Sequence, residues 1–133
     1  MIILDTHVLI WMTQDSDQIG QKTRDLIDAA LANDELLVSA ISFWEIVMFK
    51  HRKQVEIAMP LSAWRNSLLK AGVREIPICG EVGLLAVELN GITPDPADRM
   101  IAASAILQSA TMVTADDDIL AWTGNLKSHD ARL

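Results

Sequence analysis

Residues 1–11 read MIILDTHVLIW, and this stretch decides the fold. An apolar run that meets a single carboxylate at Asp5 predicts a buried strand with a charged residue at its carboxyl end. In an open α/β sheet, ligands bind in the crevice outside the carboxyl ends of the strands. Asp5 is therefore the first candidate residue of a functional site.

Apolar runs and helical patterns alternate along the rest of the chain. Further strands are predicted at 36–39, 73–78 and 111–114, with a short edge strand near Leu126 and a loose C-terminal tail. Helices are predicted at 6–11, 21–32, 43–52, 60–71, 81–89 and 97–109, with a short one that ends at Trp122. This alternation predicts crossover connections and a mostly parallel sheet with helices on both faces. We expect one α/β domain that spans residues 1–133.

The composition is typical of a soluble globular protein, since 50% of the 133 residues are apolar and 22% are charged. The longest apolar stretch, 36–49, carries Glu45 and is too short to span a bilayer, and no basic segment precedes the first apolar run. We therefore expect a cytoplasmic protein with no membrane association. The single cysteine, Cys79, has no Cys or His at ligand spacing, which favours a buried structural thiol.

The net charge of −7 argues at first against a nucleic-acid partner, because phosphate binding usually requires a basic surface. Six of the acids, however, lie where strands end or helices begin, and without them the rest of the chain is close to neutral. They are Asp5, Glu45, Asp98, Asp116, Asp117 and Asp118. The net charge therefore does not decide the class of partner.

Each of these acids also has a local structural interpretation. Asp5 could cap loop amides, and Ser42-Phe-Trp-Glu45 fits a capping box in which the serine begins a helix. Asp95-Pro-Ala-Asp98 combines an N-cap, a proline at the first helical position and an acid near the positive end of a helix. The run 116–118 could be a solvated loop or a helix cap.

The joint placement of four acids goes beyond these local interpretations. Asp5, Glu45, Asp98 and Asp116 all follow a strand end or lie in the first turn of a helix that begins on that side. Parallel strands bring those positions to one edge of the sheet. Converging carboxylates repel one another unless a cation lies among them, and oxygen ligands select magnesium or manganese. The sequence therefore predicts metal-assisted hydrolysis.

Four blocks of this sequence resemble the PIN-domain nucleases, and within them the VapC-type toxins of bacterial toxin–antitoxin pairs. The blocks are LDTHVLIW at 4–11, SAISFWEI at 39–46, DPADRMIAASA at 95–105 and VTAD at 113–116. The resemblance extends from Met1 to about Trp122. It implies a three-layer α/β/α sandwich, Mg²⁺ or Mn²⁺, endonucleolytic cleavage of structured RNA, a homodimer, and inhibition by a cognate antitoxin protein.

By this resemblance, Asp5 and Asp98 match the principal metal ligands of the family, and Glu45 and Asp116 match its two remaining acids. Asp116 is preferred over its neighbours because it stands two residues after Thr114, as in the family, and Asp118 is kept as an additional candidate ligand.

Several residues beside the acids are assigned supporting roles. Thr6, Ser42 and Thr114 are expected to orient the acids or their waters through hydroxyl hydrogen bonds. Arg99 is expected to hold Asp98 in an ion pair.

The basic residues Lys50, Arg52 and Lys53 form the only dense cationic run. They could lead RNA phosphates to the site, or they could simply complement the negative end of a helix dipole, and the sequence leaves both open. An apolar stripe on the same helix, made of Phe43, Trp44, Val47 and Met48, would suit a dimer or an antitoxin segment. The other tryptophans are expected to pack in the core or at an interface, and no histidine is given a catalytic role.

The leading hypothesis is thus a metal-dependent endoribonuclease toxin that uses one or two cations. A receiver-like signalling module also gathers carboxylates around magnesium, but it needs a lysine after a late strand, where this chain has Thr114. A PIN fold kept only for binding is the other alternative.

Overall fold

The computed structural model describes residues 1–133 and is built on five parallel strands in the order β3-β2-β1-β4-β5. In register, Leu4 lies opposite Val38 on one side and Val113 on the other. The three central strands therefore end at the same edge. The strands are β1 (Ile2–Leu4), β2 (Leu36–Ser39), β3 (Arg74–Ile76), β4 (Thr111–Thr114) and β5 (Ser128–Asp130).

Helices connect the strands, as the alternating pattern predicts. They are α1 (Thr6–Thr13), α2 (Gln21–Ala32), α3 (Ala40–His51), α4 (Leu61–Ala71), α5 (Gly80–Glu88), α6 (Pro96–Leu107) and α7 (Asp117–Ala121). None of them combines the length and the apolar character that crossing a membrane requires.

Two apolar layers cover the two faces of the sheet, because neighbouring side chains of a strand point to opposite faces. Ile2 and Leu4 pack in one layer, with residues of α1, α2, α3 and α4. Ile3 packs in the other layer, with residues of α5, α6 and α7. The predicted three-layer α/β/α sandwich with a parallel sheet is confirmed.

The central strand β1 is the point at which the topology reverses. From β1 the chain adds β2 and β3 on one side, and it then returns to add β4 and β5 on the other. A crevice opens outside the strand ends at such a point. Asp5 directly follows β1, and Thr114 ends β4. The fold thus places both residues at the mouth of this crevice.

Helix α3 begins at Ala40, three residues earlier than predicted. Ser39 caps it, because its Oγ accepts a hydrogen bond from the Ile41 amide at 3.2 Å. Ser42 is therefore inside the helix, and Glu45 lies in the second turn rather than the first. The predicted capping box between Ser42 and Glu45 is wrong.

The C-terminal tail is not loose. The Gly20 amide donates to the Ala131 carbonyl at 2.9 Å, and the Thr23 amide donates to the Leu133 carbonyl at 3.0 Å. Ala131 is fully buried. The prediction of a buried thiol is also wrong, because Cys79 is exposed beside the start of α5.

Candidate active site

Five carboxylates line one hollow of about 360 Å³ outside the carboxyl ends of β1 and β4. Three of them come from strand ends or a helix start, and two come from the helices that follow. The five acids are Asp5, Glu45, Asp95, Asp98 and Asp116, and the wall is completed by His7, Trp11, Phe49 and Ala115.

Asp5 is held rigidly at the bottom of this hollow. One carboxylate oxygen accepts from the Thr6 amide at 2.7 Å, which caps α1, and the other accepts from the Thr114 hydroxyl at 2.7 Å. Only 6% of the residue is exposed. Burial raises the pKa of Asp5, although these two hydrogen bonds and His7 oppose the increase.

Glu45 reaches the hollow from α3 and is joined to α1 by hydroxyl groups. The Thr6 hydroxyl lies within hydrogen-bonding distance of Glu45 Oε1 and of Ser42 Oγ, the latter at 2.9 Å. A threonine hydroxyl carries one proton, and a carboxylate is a stronger acceptor than a hydroxyl. Thr6 therefore donates to Glu45 and accepts from Ser42. Burial, followed by repulsion from Asp95 and Asp5, raises the pKa of Glu45 against the Thr6 hydrogen bond.

Asp98 lies in the first turn of α6, and its carboxylate accepts no hydrogen bond from the protein. Burial raises its pKa to about 8, and the neighbouring charges of Asp5, Asp95, Glu45 and Asp116 add to this increase. An acid with no donor among like charges is unstable as an anion in this place. Asp98 is thus the acid that most requires a cation.

Asp116 caps α7 through one carboxylate oxygen, which accepts from the amides of Asp118 and Ile119 at 2.9 and 3.2 Å. Its own amide donates to the Thr114 hydroxyl at 3.1 Å, so Thr114 connects Asp116 with Asp5. Asp116 therefore both caps a helix and lines the acidic hollow. Capping uses one oxygen and leaves the other free.

Asp95 is the site residue that the sequence interpretation missed. The sequence predicts it as the N-cap of α6, and its Oδ1 does accept hydrogen bonds from the amides of Ala97 and Asp98 at 2.9 and 3.2 Å. The same side chain also lines the acidic hollow. Its position three residues before Asp98, at the start of the same helix, is the sequence feature that could have indicated this second role.

The donor set of the hollow fits a hard divalent cation. None of the five acids forms an ion pair within the chain. Glu45, Asp95 and Asp98 each offer one oxygen, and these three atoms lie within 4.8 Å of one another. Carboxylate oxygens alone, without sulfur or imidazole, are the ligands that magnesium and manganese prefer.

Two predicted supporting residues have other positions. Arg99 does not pair with Asp98, because its guanidinium donates to the carbonyls of Ala86, Val87 and Thr93 at 2.9, 3.0 and 2.9 Å. It therefore ties the end of α5 to the loop that precedes α6. Asp118 is exposed and faces a separate surface beside Trp122, outside the acidic hollow.

The three basic residues at the end of α3 line different parts of the surface. Arg52 lines a cavity of about 790 Å³ that shares His7, Trp11 and Phe49 with the acidic hollow. Lys50 and Lys53 line neighbouring depressions that do not include any of the five acids. Of the three cations, Arg52 thus lies nearest to the site along a continuous surface.

Comparison with known proteins places this geometry in a family. Residues 2–123 match the model of the PIN domain. The chain is 34% identical to Ribonuclease VapC22 of Mycobacterium tuberculosis over 86% of each chain.

Solved structures show the same fold. VapBC2 from Rickettsia felis, bound to a promoter DNA fragment, matches with a TM-score of 0.67 and 17% identity over 97% of this chain and 98% of that one. FitAcB from Neisseria gonorrhoeae matches with a TM-score of 0.67 and 21% identity over 98% of each. With the family model and the curated relative in agreement, the chain belongs to the PIN-domain family, and within it to the VapC type.

Proposed function

We propose that this protein is a divalent-metal-dependent endoribonuclease and the toxin of a toxin–antitoxin pair. The observation that carries the proposal is the convergence of five carboxylates, none of them ion-paired, at the topological switch point of a VapC-type chain. A similar protein is named a ribonuclease, and two similar structures are described as VapBC complexes. The family assignment also rules out the receiver-like alternative.

The residues proposed to hold the cation, Mg²⁺ or Mn²⁺, are Asp5, Glu45, Asp98 and Asp116. A bound divalent ion would polarise a phosphate oxygen and lower the pKa of an attacking water. The chain itself fixes the orientation of the ligands, because Thr114 and the Thr6 amide immobilise Asp5. Hydrogen bonds of this kind to ligand carboxylates set the geometry that a cation meets.

Glu45 is proposed to orient the attacking water as a ligand of the cation. Its Oε1 is bound to Thr6, whereas its Oε2 has no protein partner and the side chain lines the hollow. Burial raises the pKa of Glu45 in the metal-free chain, and a bound cation would oppose this increase and keep the carboxylate ionised. The Thr6 hydroxyl, which also contacts the Ser42 hydroxyl, holds that carboxylate in place.

The substrate path is proposed to run from the acidic hollow toward Arg52. His7, Trp11 and Phe49 form the shared wall, with ring centroids of His7 and Phe49 5.2 Å apart. Unpaired bases stack on such aromatic surfaces, and a guanidinium binds phosphate. Arg52 forms no ion pair and is available for this contact. Lys50 and Lys53 extend the basic surface beyond it.

The proposed partners are a cognate antitoxin and a second copy of the chain, in the cytoplasm. Of the predicted apolar stripe, Trp44 is 55% exposed and Val47 is 38% exposed. Phe43 instead packs edge-on against Trp64 at 6.0 Å between ring centroids. The surface available to a partner on α3 is therefore narrower than the sequence suggested.

The proposal is tested by incubating folded RNA with the purified protein in Mg²⁺, Mn²⁺ or EDTA. Asp98→Asn is the test variant, and Asp118→Asn is its control, because it removes the same charge outside the hollow. We expect cleavage that requires metal, is lost by more than about 100-fold in Asp98→Asn, and is unchanged in Asp118→Asn. Cleavage that survives Asp98→Asn would contradict the assignment, and metal binding without any cleavage would support a fold kept for binding.

A further inference from the structure

We infer that Asp95 supplies a fifth carboxylate to the metal centre and completes a cation position with Glu45 and Asp98. This inference rests on the proposed function, because it concerns the same site. The oxygens of these three residues are the ones that lie within 4.8 Å of one another. Asp5 and Asp116, which the family resemblance also assigns to the metal site, are not part of this group of three.

The two oxygens of Asp95 have different surroundings. Oδ1 accepts both N-terminal amides of α6, from Ala97 and Asp98, so the cap is complete with one oxygen. Oδ2 has no protein partner, and the side chain lines the acidic hollow. The capping role therefore aligns the carboxylate without consuming its capacity to bind a cation.

The other two members of the group also have unused oxygens. Glu45 is 93% buried, since only 7% of it is exposed, yet its Oε2 accepts no hydrogen bond. Asp98 accepts none on either oxygen. A buried carboxylate without a donor is costly unless a cation satisfies it. Asp98 is half-buried and Asp95 is exposed, and one oxygen from each of the three acids belongs to the group within 4.8 Å, which suits one divalent ion.

Arg99 holds the loop that carries Asp95 against the end of α5. Arg99 donates to the carbonyls of Ala86 and Val87 at the end of α5 and to that of Thr93, two residues before Asp95. The Asp95 amide also donates to the Thr93 hydroxyl at 3.3 Å. Asp95 is thus fixed by its backbone as well as by its cap, which favours a preformed ligand over a mobile one.

The test is Mn²⁺ binding, measured by isothermal titration on the full chain in the absence of RNA. Asp95→Asn keeps both capping hydrogen bonds, because asparagine caps helices as well as aspartate does, and Asp95→Ser caps without reaching the hollow. We expect both variants to weaken Mn²⁺ binding about 10- to 100-fold, with a melting temperature in EDTA no lower than that of the wild type, because the change removes one repelling charge. Asp118→Asn is the charge-matched control and should bind as the wild type does.

Wild-type affinity and stoichiometry in Asp95→Asn would overturn the inference. A Mn²⁺-soaked crystal gives a second readout: an anomalous peak bonded to Asp95, Glu45 and Asp98 supports the inference, and a peak that Asp95 does not touch overturns it. If Asp95→Asn is unaffected while Asp98→Asn loses both metal and RNA cleavage, the inference fails and the proposed function stands. If the wild type binds no Mn²⁺, both fail together.

Discussion

Thr6 is the residue through which α1 and α3 meet in the site. Its amide donates to the Asp5 carboxylate, which caps α1, and its hydroxyl donates to Glu45 while it accepts from Ser42. One residue therefore contacts two of the acids, Asp5 through its backbone amide and Glu45 through its hydroxyl. Another residue at position 6 could still supply the backbone amide that binds Asp5. The hydrogen bonds to Glu45 and Ser42, however, need a side-chain hydroxyl.

Replacing Thr6 with valine removes that hydroxyl and keeps the shape of the side chain. We expect Thr6→Val to lower metal-dependent RNA cleavage by about 10- to 100-fold, the usual effect of losing a hydrogen bond to a metal ligand. Thr123→Val is the control, because Thr123 is exposed and makes no hydrogen bond with its side chain. Initial rates over a range of Mn²⁺ concentrations measure the effect. Equal rates for Thr6→Val and the wild type would show that the hydroxyls do not position Glu45.

At this scale the sequence located the acids but could not describe how each is used. Asp5, Glu45, Asp98 and Asp116 could be found because topology alone brings strand ends and following helices to one edge. The second role of Asp95 was hidden, because a sequence identifies an N-cap but does not show where its other oxygen points. The expected Arg99–Asp98 pair was wrong for a similar reason, since adjacent residues on a helix point in different directions.

The C-terminal segment is an element whose structure depends on one glycine. A Cβ built on Gly20 would lie 2.1 Å from the carbonyl carbon and oxygen of Leu133, which is closer than any real contact. The tail passes there because Gly20 and Thr23 both donate amide hydrogen bonds to it. Residues that follow β5 are thereby fastened to the start of α2.

We expect Gly20→Ala to push this segment away and to lower the free energy of unfolding by about 1–3 kcal/mol. Gly83→Ala is the matched control, because Gly83 is inside α5 with no atom within 4 Å of a built Cβ. That change should be neutral or stabilise the protein by about 0.5–1 kcal/mol. Urea denaturation of the three proteins makes the comparison. A Gly20→Ala protein as stable as the wild type would mean that the tail contact contributes nothing.

Element boundaries show what pattern can and cannot determine. Helix α2 begins and ends where its periodicity predicts, at Gln21 and Ala32. The start of α3 was misplaced because Ser39 and Ser42 are both good caps, and only the structure shows that Ser39 ends β2 and caps at once. The tail was misjudged because its contacts are made by backbone groups, which leave no trace in a hydropathy pattern.

For the whole molecule, the acidic site opposes folding when no cation is present. The pKa of Asp98 is raised to about 8, and those of Asp5 and Glu45 are raised as well, chiefly by burial. An unfolded carboxyl loses its proton near pH 4, whereas folded Asp98 keeps it until about pH 8. Between these values the folded state binds more protons, so the free energy of unfolding falls as pH rises.

We therefore expect the protein in EDTA to become less stable from about pH 5 to about pH 8, as measured by urea denaturation at each pH. Asp98→Asn should flatten this decline, and Mn²⁺ should reverse it in the wild type by binding the folded state. Stability that stays constant or rises over this range in EDTA would contradict the burial of uncompensated acids. Asp130 does not contribute to this decline, because its hydrogen bond with Arg132 lowers its pKa and keeps it ionised above pH 5.

The chemical nature of the RNA ends tests the central claim most directly. Hydrolysis by an activated water leaves one fragment with a linear phosphate monoester and the other with a hydroxyl, because water supplies both the oxygen and the proton. Attack by the neighbouring ribose hydroxyl instead leaves a 2′,3′-cyclic phosphate. The measurement is mass spectrometry of the fragments made from a defined RNA in Mn²⁺ by the wild type and by Asp98→Asn. We predict linear phosphate ends from the wild type and no fragments from the variant. Cyclic ends, or equal amounts of fragments from both proteins, would contradict the account.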